Sequence, residues 1–160
     1  FIKCSGWLSK SNDCFAQKGF QLIDLNNGQG NKIYIVNTHL DAGRHRFDRE
    51  VRATQLEQIA RALEDSAEGS AVLLAGDLNL DWDSPADRVL LQDFVQRLDL
   101  VLAQKGGDKA NQWRTLDYIY YRSSAKTKIS TISSGEVNAL SRNGESLSDH
   151  PALFLHFEIH

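Results

Sequence analysis

The sequence predicts a layered α/β sandwich, an α+β arrangement with mixed, largely antiparallel sheets. Three observations lead to this fold class. Apolar runs of strand length outnumber the segments with helical periodicity. Two early strand-like runs are joined by an Asn/Gly-rich turn, which is typical of an antiparallel hairpin. A strand, a helix and another strand then follow in order, so we expect a mixed sheet and not a purely parallel, doubly wound one.

The first part of the chain predicts the hairpin and a helix. Residues 20–25 (FQLIDL) and 33–36 (IYIV) are rich in β-forming side chains, and residues 26–30 between them predict the turn. Between residues 48 and 67, apolar side chains recur mostly at three- and four-residue spacing, as on one face of a helix. Gly69 is expected to end this helix.

A buried strand and a second helix follow. Residues 71–75 (AVLLA) show no alternation, which indicates a central strand covered on both faces. Ser84 and Pro85 are typical of an N-cap and a first helical position, and the apolar positions 91, 94, 95 and 98 predict the buried stripe of the helix. The remaining predicted elements are a loop at residues 105–107 and strands at residues 116–121, 128–133 and 152–159.

The overall composition is that of one folded domain. The 160 residues are 41% hydrophobic and 24% charged. No apolar run approaches the roughly 20 residues that cross a bilayer. This excludes a membrane-spanning segment in these residues but does not exclude activity at a membrane surface. The net charge of -3 argues against a surface that neutralises many phosphates of a long nucleic acid. Basic side chains cluster at residues 44–52, but Asp41, Asp48 and Glu50 are interleaved, which favours a mixed solvated face.

The two cysteines leave the cellular compartment open. Cys4 and Cys14 either form a disulfide, which favours a secreted or periplasmic protein, or remain free thiols, which suits the cytosol. A zinc site is not expected, because two thiols fall short of four ligands. The chain begins at Phe1 and contains no Met, so we expect further sequence upstream, where any signal peptide would lie.

Polar side chains follow two of the apolar runs. Residues 37–39 (Asn-Thr-His) end the second hairpin strand, and Asp77 and Asn79 follow the central strand through Gly76. Gly76 allows a turn or a close approach of the backbone, and period-two spacing places Asp77 and Asn79 on one side of the chain. A carboxylate beside an amide oxygen suits a hard cation such as Mg²⁺ or a phosphate oxygen. Both motifs are also compatible with ordinary polar turns.

Two further acidic motifs lie in the last third of the chain. Asp117 stands inside a run of apolar and aromatic residues, where a carboxylate requires a partner. His150, in the Asp149-His150 pair that precedes the last strand, is the natural candidate. A carboxylate bonded to one ring nitrogen sets the tautomer and raises the basicity of the other nitrogen, as a general base requires. The alternatives are an Asp117 that pairs with an Arg or caps a turn, and an Asp149-His150 turn.

Together, the four motifs resemble the signature of the endonuclease/exonuclease/phosphatase superfamily, metal-dependent phosphoesterases with a DNase I-like fold. Lys18-Gly19-Phe20, with the nearby Asp13-Cys14, is most similar to the neutral-sphingomyelinase-like branch. The matching motifs are, in chain order, Asn37-Thr38-His39-Leu40, Gly76-Asp77-Leu78-Asn79, Leu116-Asp117-Tyr118-Ile119 and Ser148-Asp149-His150.

The resemblance implies a role for each polar residue. His150 is expected to be the general base that activates water for attack on phosphorus, with Asp117 orienting it. Asp149 is expected to hold the divalent metal or its water. Asp77 and Asn79 are expected to position the nucleophile and a second metal or a phosphate oxygen.

Three other residues also match the family. His39 is expected to stabilise charge on the phosphoryl oxygens, whereas Arg52 and Gln55 are expected to be structural contacts of the first helix. The family also carries an Asn and a metal-binding Glu on earlier strands, and no motif before Lys18 corresponds to them. Residues 1–160 are therefore expected to be the C-terminal portion of a single domain, with the N-terminal half as a possible partner.

The resemblance implies a phosphodiesterase that uses Mg²⁺, or another divalent cation such as Mn²⁺, on a phospholipid of the sphingomyelin type. A nuclease acting on DNA or RNA is the alternative. A phosphoinositide phosphatase is disfavoured, because the residues that flank Gly76-Asp77-Leu78-Asn79 lack the Trp and Tyr-Arg usual in such enzymes. A non-catalytic domain that keeps the fold and binds a phosphorylated or protein partner is an alternative of another class. Since the metal-binding Glu has no counterpart, we expect little or no hydrolysis by these residues alone.

Overall fold

The computed structural model describes residues 1–5, 14, 16, 18–26, 28, 30–103, 116–137 and 141–160. Within these ranges it contains two helices and nine strands. The elements are β1 (Phe20–Asn26), β2 (Lys32–His39), α1 (Arg46–Ala67), β3 (Ala71–Asp77), α2 (Pro85–Arg97), β4 (Val101–Leu102), β5 (Asp117–Arg122), β6 (Ile129–Val137), β7 (Ser141–Arg142), β8 (Glu145–Ser146) and β9 (Ala152–Ile159). Five strands form a mixed sheet in the order β1-β2-β3-β5-β4, and two further pairs, β6-β9 and β7-β8, form small sheets.

The predicted hairpin is present, and its second strand is longer than expected. Strands β1 and β2 pair antiparallel, with Phe20 opposite Thr38. The polar residues 37–39 were expected to follow β2, yet they are its last three residues. Thr38 is buried, and its hydroxyl donates to the carbonyl of Gly19 at 3.1 Å. Because β1 and β3 flank β2 on both sides, backbone hydrogen bonds to these neighbours extend the strand through the polar positions.

Strand β3 is the central strand that its apolar sequence predicts. It pairs parallel with β2 and antiparallel with β5. On one face, Val72 and Leu74 pack in the main core beneath both helices. On the other face, Leu73 packs in a smaller cluster with Ile33 and with Ile129 of β6. The structure thus has three layers, namely the helices, the five-stranded sheet and the β6-β9 sheet.

The two helices begin close to where the sequence places them. Helix α1 starts at Arg46, two residues before the expected start at position 48, and the helix α2 cap is as expected. The hydroxyl of Ser84 accepts from the backbone N–H of Asp87 at 3.4 Å. The apolar stripe of α2 faces the core as predicted, with positions 91, 94 and 98 buried and position 95 half-buried.

The strands that follow α2 include those predicted from the sequence, but some differ in length and three additional short strands are present. Strand β9 has the predicted bounds, whereas β6 extends to Val137 because it pairs with β9 along that whole length. The two-residue strands β4, β7 and β8 were not predicted. The loop expected at residues 105–107 lies outside the described residues.

The amino-terminal segment is cross-linked. Cys4 and Cys14 form a disulfide with a Cα–Cα distance of 5.2 Å, which decides between the two alternatives left open by the sequence. This pairing is compatible with an extracellular location. Among the described residues, neither helix is long and apolar enough to cross a membrane.

Candidate active site

The candidate site lies at one edge of the five-stranded sheet, where three strands align three polar residues in one row. His39 at the end of β2 is opposite Asp77 at the end of β3, and Asp77 is opposite Asp117 at the start of β5. His150 approaches this row from the segment before β9. The sheet register therefore brings together residues that are far apart in the sequence.

Gly76 permits the close approach of strands β2 and β3 beside this row. It has φ +150°, and a Cβ built at this position would lie 1.9 Å from the carbonyl oxygen of Thr38. No side chain fits in that space without moving the backbone of β2. The close backbone approach expected of Gly76 is thus confirmed.

Asp117 and His150 form the shortest contact of the site. Nδ1 of His150 lies 2.6 Å from Oδ2 of Asp117, so the ring N–H donates to the carboxylate. This hydrogen bond is the main reason that the pKa of His150 is raised above its ordinary value, and the negative charges of Asp117, Asp77 and Asp149 add to it. Since Nδ1 is engaged, Nε2 is the ring nitrogen left for a substrate or a water.

Asp77 lies at the centre of the row. Its Oδ2 is 3.4 Å from Nε2 of His39 and 4.0 Å from Nδ1 of His150. Burial raises the pKa of Asp77, and the neighbouring Asp117 carboxylate raises it further. The carboxylates of Asp77 and Asp117 have oxygen atoms within 4.8 Å of each other and repel each other. A bound cation would relieve that repulsion.

Asn79 is held by its side-chain nitrogen. Strand β3 ends at Asp77, and Asn79 has φ +50°, so the expected period-two alternation does not extend to it. Instead, the Asn79 backbone N–H donates to Oδ1 of Asp77 at 2.8 Å, forming an Asx turn. Nδ2 of Asn79 donates to the carbonyl of Leu40 at 3.0 Å, which leaves the amide oxygen for another partner. The Asx turn that the sequence offered as one alternative is therefore present, and it leaves Asp77 and Asn79 next to each other.

One set of residues in the described ranges could hold a metal ion. Donor atoms of Asp77, Asp117 and His150 all lie within 4.8 Å of one another. This set differs from the one expected from the sequence, which joined Asp77 and Asn79 with Asp149. Asp149 is exposed and is not part of the set, although its charge contributes to the raised pKa of His150.

Comparison with known proteins agrees with these motifs. Residues 2–106 match the model of a family described as endonuclease/exonuclease/phosphatase family 2. The chain belongs to this family. A sphingomyelinase of Mycobacterium tuberculosis is 26% identical over 155 residues, which cover 88% of this chain and 30% of the relative. The chain therefore spans about 30% of the length of that relative.

Solved structures of other proteins show the same fold. Beta toxin of Staphylococcus aureus superposes with a TM-score of 0.63 at 18% identity, over 96% of this chain and 60% of the toxin. D. rerio TDP2 complexed with a single-strand DNA product gives a TM-score of 0.62 at 18% identity, over 88% of this chain and 62% of that protein. A beta toxin variant with bound magnesium ions gives 0.51 at 18% identity, covering 89% of this chain and 56% of that chain. The DNase I-like α/β sandwich expected from the motifs is thus confirmed.

Behind the site of this endonuclease/exonuclease/phosphatase chain lies a buried polar layer that the sequence did not reveal. Asp41, Asp48 and Arg52 are buried, so the interpretation of residues 41–52 as a solvated face is wrong for these three. Nη1 of Arg52 donates to the carbonyls of Asp41 and Gly43, at 3.0 and 2.9 Å. The structural role expected for Arg52 is confirmed, and Gln55 has a similar role, as its Oε1 accepts from the Asp41 backbone N–H at 2.9 Å.

The signal for this layer was present but ambiguous. Gly43 has φ +97°, and a Cβ there would lie 2.2 Å from Oδ2 of Asp48, so only glycine fits beside that carboxylate. A glycine between two acidic residues is compatible with a plain turn as well. Only the tertiary contacts distinguish the two arrangements.

Proposed function

We propose that this chain carries the general base and metal ligands of a phosphodiesterase that hydrolyses a phospholipid of the sphingomyelin type. The hydrogen bond between Asp117 and His150, beside Asp77, is the observation that carries the proposal. Phosphoryl transfer requires positioning and charge neutralisation more than covalent chemistry from the protein. A base, its orienting carboxylate and a further carboxylate at one sheet edge supply these functions.

In this mechanism His150 removes the proton from the attacking water. Nε2 faces the water while Nδ1 donates to Asp117, which fixes the tautomer and stabilises the imidazolium that forms. The raised pKa makes His150 a stronger base and also reduces its unprotonated fraction in mildly acidic solution. Activity should therefore rise as the pH increases through the pKa of His150.

His39 and Asn79 act on the phosphoryl group. The side chain of His39 is 57% exposed and lies 3.4 Å from Asp77 through Nε2, so it is accessible to a substrate at the sheet edge. An N–H group of the His39 ring can donate to a phosphoryl oxygen and so stabilise negative charge there. Asn79 is held through its Nδ2, which orients the carboxamide beside Asp77.

The carboxylates of the row fit a hard divalent cation, Mg²⁺ or Mn²⁺. Asp77 offers a carboxylate at the centre of the row with Asn79 beside it, and oxygen ligands are what these cations prefer, whereas Asp117 is engaged by His150. We propose that Asp77 is the central ligand, with Asn79 and Asp149 completing the protein's share. When bound, the cation neutralises charge on the phosphoryl oxygens and on the leaving group.

Charge favours a lipid substrate over a nucleic acid. The basic side chains near the start of α1 are largely neutralised within the protein. Arg46 pairs with Glu50 at 2.9 Å, Arg49 pairs with Asp87 at 2.6 Å, and Arg52 is buried. A surface that neutralises several phosphates needs unpaired Lys and Arg side chains. The likeness to a sphingomyelinase supports the same choice.

We further propose that residues 1–160 form the C-terminal portion of a single domain. The chain covers about 60% of beta toxin and of TDP2, which supports this division. On this proposal the remaining ligands come from an N-terminal half that completes the sheet edge. The 160 residues alone should then bind a divalent cation weakly and hydrolyse little or no substrate.

Metal binding by the chain as it stands tests the proposal. Titration with Mn²⁺, followed by calorimetry, should show one site whose affinity falls roughly tenfold or more in Asp77→Asn. Asp93→Asn is the matched control, because Asp93 is exposed on α2 and should leave the affinity unchanged. If the chain bound no Mn²⁺, or if both variants bound like the wild type, the non-catalytic domain would be the better interpretation.

Two parallel hydrolysis assays, run at protein concentrations high enough to detect residual turnover, distinguish the two substrates. Choline-phosphate release from sphingomyelin vesicles and nicking of a supercoiled plasmid are measured with Mg²⁺, using His150→Gln and the exposed-site control His156→Gln. Release that is lost only in His150→Gln supports the lipid enzyme, and nicking with the same dependence supports the nuclease instead. Robust turnover in either assay would overturn the expectation that the isolated chain is inactive.

A further inference from the structure

A fully buried carboxylate behind the site takes no part in the mechanism above. Asp41 is 0% exposed and lies two residues after His39. An ionised carboxylate in such a position is costly unless donors surround it. The contacts of Asp41 therefore show what its burial achieves.

Asp41 receives its donors from two distant parts of the chain. Its Oδ2 accepts from the backbone N–H of Ser5 at 2.7 Å and from the Ser5 hydroxyl. Its backbone N–H donates to Gln55, and its carbonyl accepts from Arg52. Among the described residues, Oδ1 has no hydrogen-bond partner, so the two Ser5 donors are the hydrogen bonds that the carboxylate receives, and the positive charge of nearby Arg52 adds an electrostatic attraction.

The peptide groups next to Asp41 form part of the site. The backbone N–H of Leu40 donates to the carbonyl of Asp77 at 2.9 Å. The carbonyl of Leu40 accepts from Nδ2 of Asn79 at 3.0 Å and from Nζ of Lys18 at 2.9 Å. A displacement of Asp41 would therefore move the acceptor that orients the Asn79 carboxamide.

Ser5 belongs to an amino-terminal strap, residues 1–5, which is attached to the rest of the protein at several points. The disulfide Cys4–Cys14 lies directly before Ser5. Nε2 of Gln55 donates to the carbonyl of Lys3 at 3.1 Å, so Gln55 contacts both the strap and Asp41. The disulfide is the covalent attachment in this set. The other attachments are hydrogen bonds, including those of the Phe1 and Ile2 nitrogens, and the packing of Phe1 against Phe20 with ring centroids 5.9 Å apart.

We propose that Asp41 is a positioning residue for Asn79, and that the Cys4–Cys14 disulfide maintains this position by holding Ser5 against Asp41. Reduction would free Cys4 from Cys14, so that Ser5 moves away and both donors leave Oδ2 of Asp41, while Phe1 to Lys3 keep their own contacts. The segment at residues 40–43 would then relax to solvate the carboxylate, and the Leu40 carbonyl would leave Asn79. The inference rests on the proposed function only for the role of Asn79 toward a substrate.

The test follows Asn79 by NMR in the chain without metal or substrate, so its outcome does not depend on whether the chain is an enzyme. The side-chain carboxamide signals of Asn79 are compared in the oxidised chain, in the chain reduced with a phosphine, and in Cys4→Ser/Cys14→Ser. We expect these signals to shift on reduction, and the Ser5 amide to exchange with solvent roughly tenfold faster or more. Far-UV circular dichroism and the amide of Asp87, at the start of α2, should stay unchanged.

Variants with the disulfide intact separate positioning from general stability. Ser5→Ala and Asp41→Ala should shift the Asn79 carboxamide signals, whereas Asp41→Asn, which keeps an acceptor for the Ser5 amide, should largely restore them. Ser130→Ala is the matched control, because Ser130 is exposed on β6. If the double Cys variant fails to fold, Ser5→Ala and the Asp41 pair still decide the question.

Two results would overturn the inference. In the first, the Ser5 amide exchanges faster on reduction while the Asn79 carboxamide signals stay in place, which would make the strap a stabilising element only. In the second, Asp41→Asn shifts these signals as far as Asp41→Ala does, which would show that the side-chain acceptor for the Ser5 amide does not determine the position of Asn79.

Discussion

The two sides of the candidate site are built differently. On one side, His39, Asp77 and Asp117 occupy opposed positions on three neighbouring strands, so the sheet register fixes their spacing. On the other side, His150 comes from the segment before β9, and its ring reaches the row through a 2.6 Å hydrogen bond to Asp117. The positions of the carboxylates therefore depend on the whole fold, whereas the position of the imidazole depends mainly on one side-chain contact.

The largest loss of stability is expected on the side of the site that strands β2, β3 and β5 form, at the point where two of these strands are most tightly packed. Gly76→Ala would place a Cβ 1.9 Å from the Thr38 carbonyl, so β2 and β3 must separate. We expect a loss of about 3 kcal/mol or more in the free energy of unfolding. Urea denaturation measures this value.

Gly69→Ala is the matched control for that substitution. Gly69 also has a positive φ, +62°, but a Cβ there would meet nothing within 4 Å. Its replacement should cost only about 1 kcal/mol, from backbone strain alone. Equal losses of unfolding free energy in the two variants would show that the close approach of β2 and β3 at Gly76 is not what makes its replacement costly.

A medium effect is expected on the imidazole side from Asp117→Asn. The hydrogen bond to Asp117 is the main cause of the raised pKa of His150, so its pKa should fall toward the ordinary value. The titration of the His150 ring protons, followed by NMR, measures this change. Asp149→Asn is the control and should give a smaller decrease, because Asp149 is the weakest of the causes.

The Asp117→Asn variant should also change how the stability of the protein depends on pH. A pKa that is higher in the folded than in the unfolded state contributes stability below about pH 6.5, and this stability is lost as the pH rises through the folded pKa. The difference in unfolding free energy between the wild type and Asp117→Asn should therefore be largest in acidic solution. A difference that grows toward alkaline pH would contradict the charged Asp117–His150 pair.

The smallest effect is expected from His39→Gln. The backbone of His39 is fixed by β3, but its side chain is largely exposed, so the loss of stability should stay within about 0.5 kcal/mol. His150→Gln removes the contact to Asp117 and should cost about 1 kcal/mol. Urea denaturation of both variants tests the comparison, and an equal or larger loss in His39→Gln would reverse it.

The sequence predicted best those elements whose signals are local. The Ser84 cap, the bounds of β9 and the two-sided burial of β3 follow from residues that are neighbours in the chain. The partnership of Asp117 with His150 was also accessible, because a carboxylate in an apolar run requires a partner and few were available.

The rest depended on contacts between distant residues. The burial of Asp41 is possible because Ser5, 36 positions away, supplies two donors, and no periodicity records that pairing. The orientation of the Asn79 side chain likewise depends on the Leu40 carbonyl, 39 positions away. Strand β4 is too short, at two residues, to carry a pattern at all.

The alignment of His39, Asp77 and Asp117 has a consequence for how the chain can vary. Successive side chains of a strand point to opposite faces, so one inserted residue within β3 would turn Asp77 away from its neighbours. An insertion between α1 and β3, or between α2 and β4, changes no strand register and displaces none of these site residues. The connections that carry no site residue are therefore freer to vary in length among relatives than the strands that end in the site.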